Sequence, residues 1–392
     1  MISVMSFFAK KRLFLDYAST TPVSQKVELA MNKAKNFSAN PSALYSEAIS
    51  AKDLLKEARS RVADALNAQS KEILFTSGGT EGNNMALLGI FEAHRKNGFT
   101  PHFIVSEIEH PAILEVCGEI VRRGGEVTKI KVDEDGIVKT SDIRENIKSN
   151  TVLISIMYAN NEIGTIQPVK EIARIVKEYR RSNETALPYI HTDACQASLY
   201  LDIEVLKLGV DMMTQDGIKM YGPRGAGVLF VKDGVKIHPI MFGGGQEKGL
   251  RSGTEDLTRA LGMAEALEVA LAKRESEYER LSDIRDYGIE KILKEFPQAS
   301  LNGSQKERLP NNINICFPDL DAEFAVISLD VLGICASYSS SCMNLKEDSS
   351  SYVVESLGKK DCSNSSLRFT LGRETKKADM DTLVSALKKV VK

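Results

Sequence analysis

The sequence predicts an α/β fold: a large domain with a mainly parallel sheet, followed by a smaller α+β domain. Three observations predict it. Short apolar runs alternate with longer amphipathic stretches as far as about Gly253. The runs are apolar throughout rather than alternating, as strands covered on both faces are. Beyond Gly253 the alternation stops and long helical patterns take over.

Taken in order, residues 73–76 (ILFT) predict a first strand, leading through a glycine turn into a helix over 84–92. Residues 103–106 (FIVS) lead into a helix over 112–123, and residues 152–157 (VLISIM) into one over 169–180. Residues 189–192, 212–214 and 228–231 complete the strands. Further on, 256–277 and 280–296 predict two long helices, 312–317 and 368–371 short strands, and 379–391 a closing helix. Residues 337–351, with the runs SYSSSC and EDSSS, predict a polar loop.

Composition narrows the function classes. The 392 residues carry 51 Lys and Arg against 53 Asp and Glu, a formal net charge of -2. That excludes a chain held to nucleic acid or anionic lipid mainly by charge. No apolar run approaches the ~20 residues of a membrane helix. The start, MISVMSFFAKKRLFLDY, puts its apolar patch before its basic cluster, the reverse of a secretory signal. A cytoplasmic protein is therefore expected, or one of an organellar matrix if eukaryotic. The six cysteines form no C-x-x-C pair and the five histidines are scattered, so no zinc site is expected. The default for each cysteine is a reduced thiol.

In open α/β sheets, ligands bind beyond the carboxyl ends of the strands. After residues 73–76 comes Ser77-Gly78-Gly79-Thr80-Glu81. Such a glycine turn opening a helix can bind phosphate, or can be a plain capped turn. After 103–106 comes His110, catalytic or structural; after 152–157 come Asn160 and Asn161, polar ligands or turn formers. Asp193 after 189–192 reads as a site residue or a helix cap, and Lys219 after 212–214 as a site or a surface lysine. Together they suggest one chemistry. An aspartate for a pyridinium nitrogen, a Schiff-base lysine, a stacking histidine and a phosphate turn are what pyridoxal-phosphate chemistry requires.

At these positions the chain resembles the cysteine desulfurases, fold type I pyridoxal-phosphate enzymes of the class V aminotransferase group. The resemblance runs from LDYASTTP at residue 15 to SLRFTLGR ending at residue 373, through TSGGTEGNN, EIEHPAIL, ANNEIGTIQP, HTDACQA, KMYGPRGAG and GGGQEKGLRSGT. It implies a large cofactor-binding domain over 16–255, with a seven-stranded type of sheet. Residues 1–15 and 256–392 would form the small domain, carrying the catalytic-cysteine loop at about 337–351. By the same resemblance Lys219 is the Schiff-base lysine, Asp193 binds the pyridinium nitrogen, and Gln196 reaches the ring's phenolic oxygen. His110 stacks on the ring and assists proton transfer. Thr80, with Gly78 and Gly79, holds the phosphate. Asn161 and Arg368 clamp the substrate carboxylate, and Thr254 arrives from the other subunit of a homodimer. Cys342, in its serine-rich run, is the nucleophile that takes sulfur from L-cysteine. The loop length resembles the subgroup whose cysteine swings to an acceptor. The implied products are alanine and a persulfide for an iron–sulfur scaffold or a tRNA-thiolation partner. Cys335, in an apolar setting, is expected in the core. Rival readings are a selenocysteine or cysteine lyase on the same scaffold, and a non-catalytic paralogue that binds a sulfur-transfer partner.

The departures are specific. Asp216 and Ile218 stand where the family has a serine and a histidine before its lysine, Tyr45 where a histidine is common, and Gln246 likewise. An ionised carboxylate accepts only, and isoleucine donates nothing. The expectation is an Asp216 that faces the phosphate and weakens cofactor binding. The alternative is an Asp216 turned away or paired with a cation such as Arg251.

Overall fold

The computed structural model describes residues 12–96, 98–338 and 350–391. In chain order these form β1 (Leu13–Phe14), α1 (Gln25–Ala34), α2 (Ser46–Leu66), β2 (Ile73–Thr76), α3 (Gly79–His94), β3 (His102–Ser106), α4 (Pro111–Arg122) and β4 (Glu126–Ile130). Then come α5 (Thr140–Asn146), β5 (Thr151–Ser155), α6 (Val169–Ser182), β6 (Tyr189–Asp193), α7 (Val205–Leu208), β7 (Met212–Asp216) and β8 (Gly227–Val231). The remainder is α8 (Leu257–Glu295), β9 (Ser300–Leu301), β10 (Asn312–Cys316), α9 (Ala322–Val331), β11 (Ile334–Cys335), α10 (Tyr352–Ser356), β12 (Ser366–Thr370) and α11 (Lys377–Val390).

Seven strands form the central sheet in the order β2-β8-β7-β6-β5-β3-β4. The five from β7 to β4 run parallel, and β8 runs antiparallel to both neighbours. Every residue of β3, β5 and β8 is buried, because helices cover both faces. That is why those strands are continuous apolar runs. β4 lies at the edge and only Ile130 of it is fully buried, so its EVTKI carries no apolar run. It is the sheet strand that the sequence reading leaves out.

Two smaller sheets accompany it: antiparallel β12-β10-β9 and the parallel pair β1-β11. The two long helices predicted over 256–296 are one, the 39-residue α8. Asp256 caps it by accepting the Arg259 N–H at 2.9 Å. The smaller sheet is joined to the loop after β5 by Asn312 and Asn314. Their side-chain amides donate to the Glu162 carbonyl at 3.1 and 3.0 Å.

The expectation of reduced cysteines is corrected. Cys316, ending β10, is bonded to Cys362 in the turn before β12, with Cα atoms 5.4 Å apart. The pairing of β10 with β12 brings together two residues 46 apart in sequence. Cys335, expected in the core, is only half-buried, in β11. Among the described residues no helix is long and apolar enough to cross a membrane.

Candidate active site

The carboxyl ends of β3, β5, β6 and β7, with the amino end of α3, open into one cavity of about 210 Å³. Thr80, His110, Asn161, Asp193, Gln196, Lys219 and Arg368 all line it. The antiparallel β8 does not disturb this, since β7 still points its end the same way as β6.

Lys219 closes a tight turn of residues 217–219 that begins directly at the end of β7. Its Nζ donates to the carbonyls of Ala18 and Ser19, at 2.9 and 2.6 Å. The amine is thus aimed by the segment after β1, far away in sequence. The turn is held open by Tyr221, whose φ of 60° is left-handed, a conformation costing about 1–3 kcal/mol for a side chain of this size. Thr21 Oγ1 accepts the Tyr221 N–H at 2.7 Å, and Arg373 stacks 4.0 Å from the ring centre, so the strain is held from both sides.

Asp193 ends β6 almost fully buried. Its Oδ2 accepts from Asn83 Nδ2 at 2.6 Å and its Oδ1 from the Cys195 N–H at 3.0 Å. Asn83, buried one turn into α3, keeps its own Oδ1 without a partner. Cys195 also lines the cavity, and burial drives its thiol well above its ordinary pKa. Gln196 Nε2 donates to the Ala18 carbonyl at 3.0 Å, the same oxygen that receives Lys219.

His110 caps α4, its Nδ1 accepting the Ala112 N–H at 3.1 Å. A nitrogen that accepts carries no proton, so a neutral ring holds its hydrogen on Nε2. Burial lowers the His110 pKa, which favours that neutral form. Beneath it, Glu109 is buried, and Ser106 Oγ donates to it at 2.6 Å. Burial is the main cause that raises Glu109 from its ordinary 4.5 to about 8. Below 4.5 the group is protonated whether folded or not. Above that the unfolded chain releases the proton first, so stability falls as pH climbs to about 8. The expected loss is on the order of a few kcal/mol. Glu109→Gln should flatten it, which urea unfolding at about pH 5 and about pH 8 would show. An unchanged slope in the variant would count against this carboxyl as the cause.

Arg368, in β12, is almost fully buried. Its NH2 group meets Asp16 at 2.8 Å and Ser19 Oγ at 3.1 Å, and NH1 donates to the Asn161 carbonyl at 3.0 Å. Its Nε is buried without a partner. Asp16 and Asn83 are the supporting residues that the sequence reading left without a role. Both stand inside its quoted motifs, but partnership across more than a hundred residues has no local signal.

The glycine turn opens α3 as expected. Gly78 has φ 146°, which a side chain rarely adopts, and a Cβ on Gly79 would lie 2.7 Å from Cys195 Sγ. Asp216 faces this turn: its Oδ2 accepts the Gly79 N–H at 2.9 Å and its Oδ1 the Ile218 N–H at 3.1 Å. Arg251 is paired elsewhere, with Glu81 at 2.7 Å. Burial raises the Asp216 pKa, against the pull of those two N–H groups and Lys219.

Three predicted residues do not line the cavity, and the first, Gly78, stands in the turn directly before Gly79. Thr254 lines a separate hollow with Thr76, Ser77 and Arg251, behind the glycine turn. Cys342 lies outside the described residues, as does most of its loop. The flanks of that loop are described. Ser337 is bridged to Arg368 on the cavity wall, its N–H donating to the Arg368 carbonyl at 3.1 Å. Ser351 caps α10, accepting the Val354 N–H at 3.1 Å, and its hydroxyl donates to Glu162 beside Asn161. Tyr352 donates to the Glu109 carbonyl at 2.6 Å, next to His110.

These residues fit pyridoxal phosphate at the ring end. A buried carboxylate, an amine, a neutral imidazole and a buried guanidinium, that of Arg368, line one space, and the Arg368 Nε has no partner. At the phosphate end Thr80 and the turn are in place, with the Asp216 carboxylate against them.

Comparison with known proteins finds matches over most of the chain. The family model described as aminotransferase class-V matches residues 13–383. Cysteine desulfurase IscS of Dictyoglomus turgidum is 39% identical over 384 residues, covering 97% of this chain and 95% of that protein. Cysteine desulfurase IscS of Methanosarcina thermophila is 41% identical over 384 residues, 97% of this chain and 92% of its own. Among solved structures, a NifS-like protein matches with TM-score 0.89 at 28% identity, over 97% of this chain and 99% of that one. SspA, solved in complex with cysteine, matches with TM-score 0.79 at 32% identity, over 92% of this chain and 99% of its own.

Proposed function

Because the chain belongs to the cysteine desulfurases of the class-V aminotransferase family, we propose that it removes sulfur from L-cysteine, giving L-alanine and a persulfide on Cys342. One observation carries this reading: Lys219, Asp193, His110 and Arg368 converge from four separate elements on a single cavity. Lys219, Asp193, Gln196, Thr80 and the turn at Gly78 and Gly79 would hold pyridoxal phosphate, which would supply an electron sink for the substrate's Cα.

The chain's own groups do the rest. Arg368 and Asn161 bind the substrate carboxylate; Arg368 suits this by its planar fork, already oriented by Asp16. Lys219 removes the Cα proton, and the Ala18 and Ser19 carbonyls hold its amine at the cavity wall. His110, whose neutral ring carries its proton on Nε2, lines the same cavity and assists proton transfer. The Cys342 thiolate attacks the substrate sulfur: an S–S bond forms and the substrate C–S bond breaks. The β-carbon then takes a proton and Lys219 returns the proton to Cα, completing alanine. One loop flank is bridged to Arg368 of the cavity and the other bonds to Glu162, next in sequence to Asn161, which supports Cys342 as the nucleophile. The persulfide passes to an acceptor protein such as an iron–sulfur scaffold. The test is to incubate purified, cofactor-loaded protein with L-cysteine and measure alanine and protein-bound sulfane sulfur. Absence of both would refute the reading.

We also propose a homodimer with shared sites. Thr254 lies outside the cavity of its own chain, as a residue serving a partner's site does. Light scattering should give twice the 43.1 kDa chain mass. A fully active species at the single-chain mass would contradict it.

A further inference from the structure

The amino end of a helix offers unpaired N–H groups and the positive end of a dipole, a place for one anion. In this chain the place at α3 is contested from within. Asp216 Oδ2 already accepts the Gly79 N–H at 2.9 Å. The carboxylate is pressed against the turn: a Cβ on Gly78 would come within 3.2 Å of Oδ2. The neighbouring Ser77 N–H is spent as well, on Glu81 Oε2 at 2.7 Å. The two carboxylates differ in their surroundings. Glu81 is covered by Arg251, whereas Asp216 is held by the backbone N–H groups of Gly79 and Ile218 and shares the cavity with Asp193.

We propose that Asp216 is a built-in anion of the phosphate subsite, so that the phosphate group adds little to cofactor affinity and phosphate-free pyridoxal binds comparably. The inference rests on the cofactor reading above and concerns only its phosphate end. A phosphate brought to this turn must displace the Asp216 carboxylate from the Gly79 N–H or sit beside it. Two like charges at close range in a partly buried site oppose the phosphate by far more than a neutral side chain does. The ring end is indifferent to this, since on that reading Lys219 and Asp193 would hold the aldehyde and the ring nitrogen.

The experiment compares two probes on cofactor-stripped protein. Pyridoxal phosphate and pyridoxal are titrated by equilibrium dialysis, and the Lys219-dependent visible band is followed in parallel. In the parent protein the two dissociation constants should lie within about tenfold of each other. In both Asp216→Asn and Asp216→Ser, preference for the phosphorylated probe should grow by on the order of a hundredfold or more. Asn keeps the shape and an acceptor for Gly79, so it separates charge from fold, and the ratio of two ligands on one protein is insensitive to partial unfolding. A parent that prefers pyridoxal phosphate by about a thousandfold, with that ratio unchanged in both variants, overturns the proposal. Binding of neither probe through Lys219 would instead overturn the cofactor reading.

Discussion

Lys219→Ala is expected to abolish both the visible band of bound cofactor and the release of alanine, with turnover falling more than about a thousandfold. Two functions should be lost at once, because the proposed reaction has one amine both tether the cofactor and move the Cα proton. The structure gives it no understudy. Among the described residues Lys219 is the sole lysine lining the cavity, and its direction is set by carbonyls 200 residues away in sequence. The fold itself should survive, since Nζ sits on a cavity wall and not in the core. Absorbance of the purified variant, together with alanine assayed from L-cysteine, checks both halves. A retained band with normal alanine release would remove Lys219 from the reaction.

Cys342→Ser is expected to leave cofactor and cysteine binding intact while eliminating protein-bound sulfane sulfur. A serine oxygen cannot hold a transferable sulfur, so desulfuration should fall to background. Peptide mapping by mass spectrometry after a short incubation with L-cysteine locates the persulfide in the parent. Its appearance on Cys335, Cys195 or another thiol in place of Cys342 would show that a different cysteine is the nucleophile. Cys195 is the sharper control, because it lines the cavity but its burial keeps the thiol protonated.

What the sequence displays of this fold follows burial. β3, β5 and β8 are legible because both faces are covered, which turns them into unbroken apolar runs. β4 is not, because an edge strand needs no such run. The break read between residues 277 and 280 has a similar origin. Residues 271–280 lie between two buried stretches of α8 and are mostly polar and solvent-facing, so the apolar phase lapses while the helix continues. The site residues are legible as strand ends and motifs, and the cavity gathers them except Gly78, Thr254 and the undescribed Cys342. Their partners are not legible in the same way. Asp16 with Arg368, Asn83 with Asp193 and Cys316 with Cys362 are pairings made by the tertiary fold alone. Asp216 lies between these cases: its departure is visible in the sequence, its seat on Gly79 only in the structure.

The unbroken α8 limits how this molecule can move. Its first half packs on α1 and α2, and later parts touch β10 and α11 of the smaller sheet region. At about 1.5 Å per residue it is a beam about 58 Å long. A hinge between the two sheets would have to snap or bend that beam, breaking several backbone hydrogen bonds that have no replacement. Substrate therefore enters and product leaves through rearrangement of local segments at the cavity rim, around a frame that stays stiff. Crosslinking the two sheet regions together should therefore cost little activity.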